Sequence, residues 1–146
     1  MPAGLLPNEG IAKQLEYILK SPISGVLPWE LIFFVNDITP TPATVLADLT
    51  EATWGGYSRL TLDRSLWTGF TVADGCCHAT WGMVAQTWYV TSGPTETIYG
   101  YAYVDYTTGV IRFVQRLDAE DIRPVEVGGR VTILPEYTLT SAECDT

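Results

Sequence analysis

Past residue 28 the chain never sustains an apolar pattern for longer than a strand before a proline, a glycine or an Asx pair breaks it. That punctuation constrains the fold more than any other feature. A helix needs an unbroken 3.6-residue period over about ten residues to bury one face, whereas a strand needs only a few alternating residues between turn signals. The runs Trp29 to Asn36, Tyr57 to Leu62, Trp67 to Val72, Cys76 to Trp81, Thr97 to Asp105, Val110 to Leu117 and Arg130 to Leu139 all qualify, and Val125 with Val127 leads into the last of them. About eight short strands at turn-separated intervals predict a mainly β chain, an antiparallel β-sandwich or jelly roll in place of alternating βαβ units.

Local chemistry sharpens several of these expectations. Trp29 to Asn36 is aromatic and branched, with Pro28 before it and Asp37 behind. Pro40 and Pro42 make Asp37 to Thr44 a loop, and Ala43 to Leu49 has room for a turn or two of helix. Ala73-Asp74-Gly75 reads as the turn between the strands at Trp67 and Cys76. Thr97 to Asp105 sets Tyr99, Tyr101 and Tyr103 on one face and Gly100, Ala102 and Val104 on the other. Its return strand is expected to show Ile111 and Phe113 on one face and Arg112 and Arg116 on the opposite one. Between them, Gly109 supplies the positive φ of a bulged turn. Pro135 interrupts the last run, which implies an edge or a bulge.

Ahead of the β pattern, Asn8 is suited to cap a helix and Glu9 to meet its dipole. Ile11, Leu15, Ile18 and Leu19 then recur at helical spacing, and Ser21-Pro22 ends the run. An amphipathic α-helix over 8–20 is expected, preceded by an apolar arm over 1–7 whose Leu5 and Leu6 would dock onto a neighbour. With no internal repeat or linker, the chain reads as one domain of 146 residues, its β-rich body spanning 29–140.

Composition narrows the function. Net charge is −9, from eight Lys plus Arg against seventeen Asp plus Glu, and only Lys13 and Lys20 are lysines. A nucleic-acid partner requires a basic footprint to displace counterions, and this balance argues against one. No apolar run approaches the ~20 residues of a membrane-spanning helix, and the opening residues lack the pattern of a secretory signal. Three cysteines, two of them adjacent, make no disulfide framework and suit a protein made in a reducing cytoplasm. Charged residues are scarce at 17%. Interface cores are likewise depleted in charge and enriched in aromatics.

The residues that could carry chemistry do not converge. Cys76-Cys77-His78 alternate across a strand, so the three cannot grip one ion, and no second ligand pair exists for zinc. His78, the sole histidine, has no nucleophile elbow near it. The acids Asp118, Glu120 and Asp121 could serve calcium or a glycosidase. They lack the glycine and terminal glutamate of an EF-hand loop, and a solvated turn explains them as well. Gly55-Gly56 and Gly128-Gly129 read as turn dipeptides without the lysine of a phosphate loop. Non-enzymatic function with no metal and no cofactor is the expectation. Of the tryptophans, Trp81 and Trp88 are assigned to the core, while Trp54 and Trp67, near loops, are expected to bind a partner.

The stretch Ile38-Thr-Pro-Thr-Pro-Ala-Thr-Val-Leu-Ala-Asp-Leu-Thr-Glu-Ala-Thr-Trp-Gly-Gly-Tyr, continued by Ser58-Arg-Leu-Thr-Leu, together with Tyr99-Gly-Tyr-Ala-Tyr-Val-Asp-Tyr-Thr-Thr-Gly-Val-Ile, resembles small structural proteins encoded among tailed-phage virion genes. The resemblance covers roughly residues 30 to 140 and implies a virion component made in the host bacterial cytoplasm, with no catalytic residues to carry over. It implies a head-decoration or cement protein, a homo-oligomer of trimeric type that binds the major capsid protein. The alternative is a tail, baseplate or fibre module that stacks Trp54 and Trp67 on host sugars.

Overall fold

The computed structural model describes residues 29–63, 68–73, 78–82, 84–106 and 108–140. The expected helix over 8–20 and the arm over 1–7 lie outside them. The chain divides into two compact units whose segments interleave. One comprises 27–62 and 87–132; the other takes 63–86 and the two chain ends, 1–26 and 133–146.

The larger unit is built on a four-stranded antiparallel sheet. Its strands are β1 (Trp29–Phe34), β2 (Leu60–Leu62), β7 (Gly100–Asp105) and β8 (Ile111–Arg116), in the order β2-β1-β7-β8. β1 is central, and its residues Leu31, Ile32, Phe33 and Phe34 are all fully buried. A run of consecutive apolar residues, instead of an alternating one, is what a strand covered on both faces requires. On one face, Ile32, Phe34, Leu49, Ala102 and Val104 form a core cluster, with Ile38, Leu46, Tyr99, Ile111 and Val114 packed against it. Leu46–Asp48 forms a turn of 3-10 helix that brings Leu46 and Leu49 there.

On the opposite face, register sets Leu31 beside Tyr103 and Phe33 beside Tyr101. Tyr103 stacks on Phe113 at 4.9 Å and lies 6.4 Å from Trp29. Farther along, Phe33 meets Trp54, Tyr57 and Trp88, the last edge-on at 4.7 Å between centroids. Trp88 stands on β5 (Gln86–Tyr89), which pairs with β10 (Arg130–Ile133) as a two-stranded ribbon. A further short pair joins β6 (Glu96–Ile98) to β9 (Arg123–Val125).

Gly100 must be glycine. A Cβ there would overlap the Phe34 ring and the Gln115 carbonyl, so the ring lies over bare backbone. Gly109, at φ 70°, fills the turn position expected of it.

The smaller unit holds a three-stranded antiparallel sheet of β3 (Thr68–Ala73), β4 (His78–Gly82) and β11 (Glu136–Thr140), with β4 in the middle. The β3–β4 pairing is the one that Ala73-Asp74-Gly75 announces. Register slips between Thr68 and Thr71, where Gly69 and Phe70 oppose Trp81 alone.

Four expectations need correction. Thr97 to Asp105 is not one strand: it breaks at Tyr99 into β6 and β7, which enter different sheets. Arg130 to Leu139 breaks at Leu134-Pro135 into β10 and β11, again in different sheets, because proline cannot donate to a ladder. Tyr57 to Leu62 yields strand only from Leu60. Finally, Ile111 and Phe113 point to opposite faces. Tyr103 pairs with Phe113 and Val104 with Ile111, leaving Arg112 as the extra residue of a bulge that reverses the alternation.

Candidate functional site

Of the four residues expected to bind a partner, Leu5, Leu6 and Trp67 lie outside the described residues. Trp54 is corrected. It is only 2% exposed, wedged between Phe33 and Tyr57 at 5.9 and 5.1 Å, so it builds the core instead of presenting a stacking surface. Two glycines cause this. A Cβ on Gly55 would overlap the Ser92 hydroxyl and one on Gly56 the Tyr89 carbonyl. Gly55 also exchanges backbone hydrogen bonds with Ser92 and Thr91, at 2.7 and 2.9 Å. Gly55-Gly56 is therefore a seam of close backbone approach that draws Trp54 inward. Its indole Nε1 is buried with no hydrogen-bond partner among the described residues. Trp88 is in the core as expected, 7% exposed, its Nε1 donating to the Ser58 carbonyl at 2.9 Å.

Beside these rings lies the strongest electrostatic cluster among the described residues. Arg59 grips Glu51 in a two-point fork, Nε to Oε1 at 2.9 Å and Nη2 to Oε2 at 2.8 Å, and reaches Glu30 at 3.3 Å. The Tyr57 hydroxyl donates to Glu51 Oε1 at 2.7 Å. Burial acts to raise the Glu51 pKa, but the hydrogen bonds from Arg59 and Tyr57 and the charge of Arg59 outweigh it, leaving the carboxyl below its ordinary value. Burial, reinforced by the neighbouring Glu51 carboxylate, pushes the Tyr57 phenol well above its usual range. The hydrogen bond to Glu51, against the opposing effect of burial, holds the Arg59 guanidinium more firmly charged. Such an arrangement stabilises ionised Glu51 and protonated Tyr57. Neither is poised to exchange a proton near neutral pH, so the cluster is suited to clamping β1, the Glu51 bridge and the approach to β2 together.

Other polar side chains also serve the backbone. Asn36 bonds both the Asp48 carbonyl and the Thr50 N–H at 2.8 Å, and Glu96 accepts from the Thr53 N–H at 2.7 Å. Asp118, Glu120 and Asp121 come together, with candidate ligand oxygens within 4.8 Å, and all three are exposed. The backbone there is a turn closed by the Asp121 N–H on the Asp118 carbonyl. Cys76 and Cys77 lie outside the described residues; His78 opens β4, opposite Ala73 and Thr140.

What the sequence did not single out is the exposed apolar surface. Val45, Tyr106 and Val110 are 56%, 60% and 51% exposed. They flank one rim, where the Leu46 side chain reaches Gly109 in the β7–β8 turn. On the β5–β10 ribbon, Tyr89 is similarly exposed, as is Val127 in the turn before β10. Each lies at the end of an element or in a turn, where periodicity carries no signal. In comparisons with protein-family models, with curated proteins and with solved structures, the chain matches none.

Proposed function

We propose that this chain is a non-enzymatic structural component of a tailed-phage virion, a head-decoration or cement protein that self-associates and binds across neighbouring capsomers of the major capsid protein. The observation that carries this reading is the division of labour on the larger unit. Its most perturbed ionisable groups, Glu51, Tyr57 and Arg59, are spent on one another, while large apolar side chains at Val45, Tyr106 and Val110 are left outside. Apolar side chains grouped on a polar surface suit a protein that is meant to be covered. The likeness of Ile38 to Leu62 and Tyr99 to Ile111 to virion structural proteins supplies the class.

In this reading the four-stranded sheet and the β5–β10 ribbon are two layers of a sandwich, with Phe33 and Trp88 meeting between them. Cementing works by mass action: a ligand that binds only the intact shell stabilises it in proportion to its occupancy. The competing placement, a tail or fibre module that stacks on sugars, loses one of its two aromatic anchors to the burial of Trp54.

Stripped phage heads re-supplied with the pure protein provide the test. Heat and osmotic resistance should return with the wild-type chain. They should not return with a Val45→Asp/Tyr106→Asp/Val110→Asp variant, whose changes fall on exposed positions and leave the core alone. Heads that gain nothing from the wild-type protein would remove the cement reading.

A further inference from the structure

The β5–β10 ribbon has one face turned inward and one that the larger unit leaves open. Trp88 is buried, whereas Thr87, Tyr89, Arg130 and Thr132 are exposed. Thr87 Oγ1 and Thr132 Oγ1 lie 3.0 Å apart, and the Val90 N–H donates to the Gly129 carbonyl at 3.0 Å. Counting along both strands from these two pairings sets Tyr89 opposite Arg130, so ring and guanidinium share the open face. Val127 adds apolar surface at the turn.

Arg130 also differs from most other described cations. Arg59, Arg112 and Arg116 are each held by a carboxylate. Arg123 and Arg130 make no ion pair among the described residues, and Arg123 follows the acidic turn by only two positions. The counterpart of these two cations is that turn itself, Asp118, Glu120 and Asp121, exposed and likewise without an ion pair among the described residues.

We infer that the Tyr89–Arg130 face of the ribbon takes the Asp118–Asp121 turn of a second copy of this chain. The inference deepens the self-association in the proposed function and rests on it. Copies carrying a net charge of −9 repel, so a contact between them has to set opposite signs against each other. One arginine beside a tyrosine and a valine has the composition of a protein interface. Glu126, exposed in the same turn, opposes a polyanion such as nucleic acid. The contact is heterologous: each copy offers its ribbon to one neighbour and its acidic turn to another, so a rotation that closes produces a ring. Exposed ion pairs are individually weak and screened by salt, so Tyr89 and Val127 supply most of the buried area and Arg130 fixes which surface docks.

Sedimentation velocity on the full chain tests this. Wild type should be oligomeric, and Arg130→Glu should weaken association at least about tenfold. Asp118→Lys/Glu120→Lys/Asp121→Lys should weaken it as much, although it lowers the net charge and would promote any unspecific aggregation. A chain carrying all four changes should regain the oligomer. A monomeric wild type, or an oligomer indifferent to Arg130→Glu, overturns the inference. The cement reading is judged separately: Arg130→Glu protein that still restores stripped heads leaves it standing without this contact.

Discussion

The two faces of the β1–β7 pair solve the same problem with different materials. One is mainly aliphatic and small: Ile32, Ala102 and Val104 pack with Leu49, and the Phe34 ring fits only because Gly100 has no side chain. The other is aromatic, with Phe33 at the meeting point of Trp54, Tyr57 and Trp88, and Tyr103 stacked on Phe113. The aliphatic face depends on volume, and any added atom is felt. The aromatic face depends on ring geometry, worth about 0.5–1.5 kcal/mol per pair beyond area, and its polar tips bind it to the Glu51–Arg59 clamp.

The largest effect expected from this contrast is on the aromatic side. Phe33→Ala should cost about 4 kcal/mol in urea unfolding, since it empties the site that three other rings share. A loss below about 2 kcal/mol would mean that those rings collapse inward and that the face is held by area alone. Next comes Gly100→Ala on the aliphatic face, at about 3 kcal/mol, because the Phe34 ring and the Gln115 backbone would both have to give way. The same substitution at Gly128, where φ is 90° and a Cβ meets nothing, isolates the cost of a positive φ from steric overlap.

The clamp gives a smaller, pH-dependent effect. Glu51 has its folded-state pKa depressed, so its contribution is present above its unfolded value, about 4.3, and is lost as pH falls through the folded one. The unfolding midpoint should therefore drop on acidification below about pH 4. Tyr57→Phe should move the Glu51 titration upward, as read by NMR of its side-chain carboxyl. An unchanged titration would assign the depression to Arg59 alone. Smallest of all, Arg112→Ala should cost under about 1 kcal/mol, since Arg112 is 45% exposed where it meets Asp105.

What the sequence made legible follows the same physics. β1 was readable because a doubly covered strand is continuously apolar, and the β7–β8 hairpin because Gly109 marks its turn. β5 was missed: Gln86-Thr87-Trp88-Tyr89 buries only Trp88, which is too short a pattern to separate from a loop. Trp54 was misplaced because adjacent glycines signal a turn and a close backbone seam equally well, and only the partner at Ser92 decides between them. The faces of Ile111 and Phe113 were misassigned because a bulge adds a residue without any compositional mark. The Tyr89–Arg130 face could not be found from the sequence, since it exists only once β10 is paired with β5.

The extra residue at Arg112 has one more consequence. Among the described strands β8 is the last in its sheet, a row of amides and carbonyls with no further strand beside it. A straight outer row of that kind is a template on which identical chains add without limit, the first step toward fibrils. The kink where Arg112 bulges out breaks the row's repeat. A chain with that residue deleted should fold with a flatter rim, and would show what the irregularity prevents by precipitating as it is concentrated.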